Sequence, residues 1–315
     1  MLHFEEPVMS VLRPVLSACL LSALWTGTVL AQQNPAEPQK QEQVKVEGPC
    51  AAIFAEADLS SLLDGAEITY RADGCTLSNV TIDAGTYQSW SAETVEIRSA
   101  PLEKDADYWP EWAEISVKSV GYWPSSLPAM RYLSKIQKNG FDLKLAYQWD
   151  KDSKIFRVNE ARFSGRYIGE VLSSATVELS ELPRFDILGA QSSSLETMKI
   201  REISTELDDQ GFFANYVMTT IVGMIGYNDD PEPEVEKYRS MALAFVAGLS
   251  ANMIDADGKQ ALSRLIADLP HPQSKAAIKL VFDPAFSVSQ SDNSPLAVLA
   301  AFQKNLKISA VYAGK

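Results

Sequence analysis

Histidine is almost missing from these 315 residues, with His3 and His271 the two examples, and cysteine occurs three times. Those scarcities remove much chemistry. A Ser–His or Cys–His relay would rest on His271 alone, because His3 lies in the leader described below. His271 sits in the rigid loop Leu269-Pro270-His271-Pro272 and reads as an exposed loop residue. No Gly-x-Ser-x-Gly elbow occurs, and a metal that wants imidazole or thiolate has no second ligand to join His271. Glycines are scattered, and none forms the Gly-x-Gly-x-x-Gly turn that cradles a dinucleotide phosphate. No cofactor is expected. Cations are also short, 28 Lys and Arg against 41 Asp and Glu, for a formal charge of −13. Without a Lys/Arg cluster to neutralise phosphates, neither nucleic-acid binding nor a simple electrostatic hold on anionic lipid is expected.

What is present begins with a leader. Arg13 is followed by the apolar run Pro14 to Leu30 and then Ala31-Gln32-Gln33, the order of a secretory signal peptide. Val29 and Ala31 occupy the small-residue positions, so the expected cut falls after Ala31 and the expected location is the periplasm. Glu5 and Glu6 are unusual in such a leader, and a start at Met9 would leave Met-Ser-Val-Leu-Arg-Pro as an ordinary one. Rival readings are an uncleaved anchor, since about 17 apolar residues sit at the lower limit for a span, and a lipidated Cys19 after Leu16-Ser17-Ala18. About eleven apolar residues still follow Cys19, which a lipidation site would end.

Removing the leader leaves Cys50 and Cys75, an even pair in a compartment where disulfides persist. A bond between them would close a loop of roughly 25 residues; two buried free thiols are the alternative. Residues 32–47 are rich in Gln, Glu and Pro and read as a disordered linker.

The rest, 48–315, is expected to be a single α+β domain: an antiparallel β-meander sheet with a helical insertion packed against it. The β-rich part is 66–207, the insertion 208–270, and closing strands and a helix occupy 274–313. Phe141, Leu143, Leu145, Tyr147 and Trp149 alternate with Asp142, Lys144, Ala146, Gln148 and Asp150, the period of a strand with one solvated face. Asp150-Lys151-Asp152-Ser153 turns the chain, and Lys154 to Ala161 pairs back. Weaker alternation predicts strands at 66–70, 77–82, 93–98, 114–120, 171–179, 196–207, 276–282 and 305–312. Helical spacing predicts helices at 51–63, 125–139, 212–227, 233–253, 258–269 and 295–303. In 233–253 the apolar stripe is Val235, Tyr238, Met241, Ala242, Phe245, Val246 and Leu249.

Three local features compete as sites. Asp229, Asp230, Glu232, Glu234 and Glu236 crowd a turn, and Asp255-Ala256-Asp257-Gly258 imitates part of a calcium loop. In the second, Met253 stands where the first ligand belongs and Arg264 where the closing glutamate belongs, so helix capping explains it better. Tyr108, Trp109, Trp112, Tyr122 and Trp123 lie close together beside prolines and are possible ligand-facing aromatics; closing the end of a sheet core is their structural role. Asn79-Val80-Thr81 matches a glycosylation sequon.

Tyr147-Gln148-Trp149-Asp150 and Ile168-Gly169-Glu170-Val171, with the helix-rich half that follows, resemble uncharacterised exported proteins of alphaproteobacteria over residues 66–313. That resemblance transfers no catalytic residue. The repeated amphipathic strands are more distantly similar to the β-taco of AsmA-type envelope proteins, whose apolar trough implies lipid handling. The expectation is therefore a non-enzymatic envelope protein that binds a lipid or another envelope protein. A carboxylate-based hydrolase of cell-wall or sugar polymers is the alternative, and a purely structural or assembly role a third reading.

Overall fold

A computed structural model describes residue 50 and residues 66–83, 88–102, 108–124, 140–182, 198–223, 225, 230–287 and 305–314. The expected leader (1–31) and linker (32–47) and the expected helices at 51–63, 125–139 and 295–303 fall outside the described residues. Ten strands form one antiparallel sheet: β1 (Glu67–Arg71), β2 (Gly74–Asp83), β3 (Gln88–Ser99), β4 (Trp112–Pro124), β5 (Phe141–Asp150), β6 (Ile155–Gly165), β7 (Gly169–Glu178), β8 (Lys199–Asp209), β9 (Ala276–Ser287) and β10 (Leu306–Tyr312). Their order in the sheet is their order in the chain, a meander left open at β1 and β10. The helices α1 (Met218–Gly223), α2 (Pro231–Gly248) and α3 (Ala256–Asp268) all lie between β8 and β9.

The two faces of the sheet differ because the strands alternate. Opposite Leu143 stands Phe163, opposite Leu145 Ala161, opposite Tyr147 Val158 and opposite Trp149 Phe156. Farther along the same face Phe163 meets Val171 and Phe156 meets Val177. The reverse face carries a continuous chain of ion pairs: Asp73 to Arg98 at 2.9 Å, Arg98 to Glu114 at 3.3 Å, Glu114 to Lys144 at 3.2 Å, Lys144 to Glu160 at 2.7 Å, Glu160 to Arg162 at 2.8 Å and Arg162 to Glu170 at 2.6 Å. Cross-strand charge pairs of this kind pin register as well as giving solubility.

Strict alternation breaks at several places in the sheet. Leu77 and Val80, Ala92 and Val95, and Val117 and Val120 share one core although each pair is three residues apart; within the first and last pairs Asn79 and Ser119 adopt positive φ of 58° and 55°. The register also slips between β4 and β5, β5 and β6, β6 and β7, β7 and β8, and β8 and β9. Each extra residue bends its strand and sharpens the local twist.

Cores form at the two ends of the apolar face. Cys50 and Cys75, disulfide-bonded with Cα atoms 6.1 Å apart, pack with Leu77, Val80, Ala92 and Ile97 over β2 and β3. At the other end Leu249, Met253 and Ile254 pack with Val177, Ile200, Phe282 and Leu306, while Ala261 and Leu265 of α3 pack with Leu207, Ala276 and Tyr312. α3 starts where Asp255 accepts from Gly258 N–H at 2.7 Å, an ordinary N-cap.

The insertion departs from its expected outline. It opens with a π-helical turn, Phe213–Val217, that runs directly into α1, so the expected helix over 212–227 is helical through Gly223, and 224 and 226–227 lie outside the described residues. α2 begins at Pro231, capped by Asp230, and ends at Gly248, not Met253, because Leu249 turns extended. That bend is what delivers Leu249, Met253 and Ile254 to the core. Of the stripe on α2, Val246 and Leu249 are buried, but Met241 and Phe245 are 50% and 55% exposed, so its buried face is narrower than the spacing implied.

Candidate ligand-facing strip

Between the two cores lies the apolar face of β5 and β6. Phe141, Leu143, Leu145, Ala161 and Phe163 are each half-buried there and lie outside the three buried clusters formed among the described residues, though Phe163 meets Phe212, which packs on the α3 cluster. An edge-on aromatic run borders them: Trp90 to Phe141 at 6.2 Å between centroids, Phe141 to Phe163 at 5.0 Å, and Phe163 to Phe212 and Tyr216 at 6.0 and 5.8 Å. Such contacts hold the rings of the strip at fixed angles. Phe141 to Trp149 spans roughly 27 Å at the usual strand rise.

The end of the strip toward the β5–β6 turn is different. Tyr147 stacks on Phe156 at 5.1 Å and is 6% exposed. Its hydroxyl and the Nε1 of Trp149 are buried with no hydrogen-bond partner, and burial pushes the Tyr147 phenol well above its ordinary pKa. Lys154 places its Nζ 5.2 Å from the centre of the Trp149 ring, a cation–π contact. The adjoining turn is built on Asp150, which accepts from the backbone N–H of Asp152 and Ser153 and from the Ser153 hydroxyl. The Ser153 hydroxyl in particular holds the Asp150 carboxyl below its usual range.

The sequence-predicted candidates are placed as follows. Trp112 opens β4 and Trp123 lies near its far end, about 35 Å along one strand. Trp112, opposite Gln148, is 37% exposed on the ion-paired face. Tyr108 and Trp109 are half-buried just before β4. Tyr122 pairs with Trp90 in the register of β3 and β4. Of the acidic groups, Asp230 and Asp255 cap α2 and α3, Glu234 pairs with Lys237 and Glu236 with Arg239. His271 is exposed, its backbone N–H donating to Asp268. Among the described residues no group of His, Cys, Asp and Glu is arranged to hold a metal ion.

A depression of about 160 Å³ on the ion-paired face is lined by Glu170, Glu206, Asp208, Lys275 and Val311, with Lys275 3.0 Å from Asp208. It falls below the few hundred Å³ of a small-molecule pocket. No helix among the described residues is long and apolar enough to cross a membrane. No family model matches the chain, and no curated protein matches it either.

Proposed function

We propose that this chain is a non-enzymatic envelope protein, exported to the periplasm, that binds a lipid through the apolar face of its open sheet. One observation carries the reading: Phe141, Leu143, Leu145, Ala161 and Phe163 form a half-buried apolar strip outside the buried clusters of the described residues. On the reverse side Lys144, Glu160 and Arg162 satisfy one another, so apolar ligand and water have separate faces. From Phe141 to Leu145 the strip runs about 13 Å at the usual strand rise, close to the half of a bilayer's ~30 Å hydrocarbon thickness that an acyl chain spans. Contact with hydrocarbon would remove apolar area from water at about 25 cal/mol per Å². An apolar trough is also what the resemblance to AsmA-type proteins implies.

The test is the mass of the protein taken from its native envelope fraction, recorded under native and under denaturing, non-reducing conditions. A lipid-sized increment present only natively supports binding. Equal masses, with no uptake from phosphatidylcholine vesicles, overturn it. The same denatured mass places the start of the chain, Gln32 being expected.

A further inference from the structure

The two open edges of the sheet are finished differently. At β10 the outer side is already engaged: the Ile308 N–H donates to the carbonyl of Met253 at 2.7 Å, and the Tyr312 hydroxyl donates to Asp268 of α3. At β1 no described residue pairs with the outer side. The β1–β2 hairpin turns through Ala72 and Asp73, with Arg71 opposite Gly74. A closing pair separated by two residues exchanges both of its ladder hydrogen bonds, and bonded and non-bonded pairs alternate from there. Thr69 and Glu67 therefore bond to β2, while the N–H and C=O groups of Ile68 and Tyr70 point away from the sheet.

The strand Glu67-Ile68-Thr69-Tyr70-Arg71 is complementary to itself when a second copy runs antiparallel to it. About a two-fold axis at Thr69, Glu67 stands opposite Arg71 of the second copy, Ile68 opposite Tyr70, and Thr69 opposite Thr69. Ile68 and Tyr70, which carry the outward backbone groups, then face each other, and four N–H···O bonds close the ladder. Moving the axis to Ile68 or to Tyr70 keeps the backbone parity but leaves neither charge opposite its counterpart. Charges on an edge strand ordinarily discourage pairing; these are spaced so that the two-fold axis makes them partners, and opposite charges directly across an antiparallel pair stabilise it.

We propose that β1 is a homodimer interface, two copies of the chain joining edge to edge about Thr69 so that their sheets become one. The contact is isologous and closes at two copies. On the polar face Arg71, already paired with Glu96, gains Glu67 of the second copy. On the apolar face Tyr70, 36% exposed in the single chain, lies against the second copy's Ile68, a residue that packs on the core around Cys50 and Cys75. The proposal is independent of lipid binding.

Sedimentation velocity across a concentration series tests it. The unmodified protein is expected to pass from monomer to dimer as concentration rises. Glu67→Arg and Arg71→Glu, each alone, set like charges opposite at both ends of the ladder and should each weaken dimerisation about tenfold or more. An equimolar mixture of the two variants should dimerise again, because in the mixed pair every charge meets its opposite. Thr69→Cys supplies a second reading that keeps both charges: oxidation should crosslink two chains at that residue, and Glu67→Cys should not crosslink to itself. A monomer at every concentration up to about 1 mM overturns the inference, as does a dimer that both charge reversals leave intact. Reversals that weaken the dimer without rescue on mixing, or a Thr69→Cys protein that forms no crosslink, overturn the register.

Discussion

Lys144 Nζ lies 2.7 Å from Glu160 Oε2 across β5 and β6, on the sheet face opposite Leu145 and Ala161. The hydrogen bond from Lys144, reinforced by Arg162, holds the Glu160 carboxyl below its ordinary range, and Glu160 in turn raises Lys144. In the unfolded chain Glu160 would take up its proton near pH ~4.3. Its contribution to stability is therefore complete above that value and is lost as pH falls through the lower native value. Glu160→Gln should cost about 1 kcal/mol at pH 7, since the pair is partly solvated. The gap between the two proteins in urea midpoint should stay constant from pH 7 to about 4.3 and shrink below it. A gap unchanged down to pH 3 would contradict this account.

Gly169, in the Ile168-Gly169-Glu170-Val171 segment, has a φ of +85°, and a Cβ there would stand 1.8 Å from the carbonyl oxygen of Asp208. Both the backbone conformation and the close approach of β8 demand glycine. Gly169→Ala should lower stability by about 2 kcal/mol or more. Denaturant unfolding measures it, and a loss under about 0.5 kcal/mol would mean that the β6–β7 turn relaxes freely.

The bond from Cys50 to Cys75 spans 25 residues and ties the first described residue to the core over β2 and β3. Replacing both cysteines by serine, or reducing the bond, should cost about 3 kcal/mol. Urea midpoints with and without reductant, compared with the double variant, check it. Coincident curves would show that the crosslink leaves stability untouched.

Met241 and Phe245 of α2 face outward, whereas Val246 is buried. Met241→Lys and Phe245→Ser should each shift stability by no more than about 0.5 kcal/mol, while Val246→Ala should cost about 1 to 2 kcal/mol. Thermal melts of the three variants separate the possibilities, and a large loss at Phe245 would place it against a surface that the isolated chain hides.

Legibility in the sequence tracked how far a segment obeyed one simple period. β5 was readable residue by residue because its ten positions alternate without interruption. β2 and β4 were only partly readable, since Asn79 and Ser119 step the chain through positive φ and shift the apolar positions from a spacing of two to three. β9 was expected to end at Phe282 but runs to Ser287 past Asp283-Pro284, and proline ordinarily signals the close of a strand. On α2, spacing located the helix but not how much of its stripe finds a partner, because that depends on α3 and the bend at Leu249. The strip itself could be foreseen from β5. The orphaned hydroxyl of Tyr147 could not, since its neighbours come from β4 and β6, and a tyrosine among apolar residues gives no sign of whether its oxygen is satisfied.

Because the strands pair in the order in which they are joined, nearly every hydrogen-bonded ladder connects residues a few tens of positions apart; the excursion through the helices between β8 and β9 is the largest. Short closures cost little chain entropy, and chains dominated by them fold fast for their size. Each hairpin can therefore dock on the one before it as the polypeptide is made, without waiting for a distant C-terminal partner. The segment carrying α3 comes late in that sequence, so the growing sheet would expose its apolar side until α3 arrives to cover the far end.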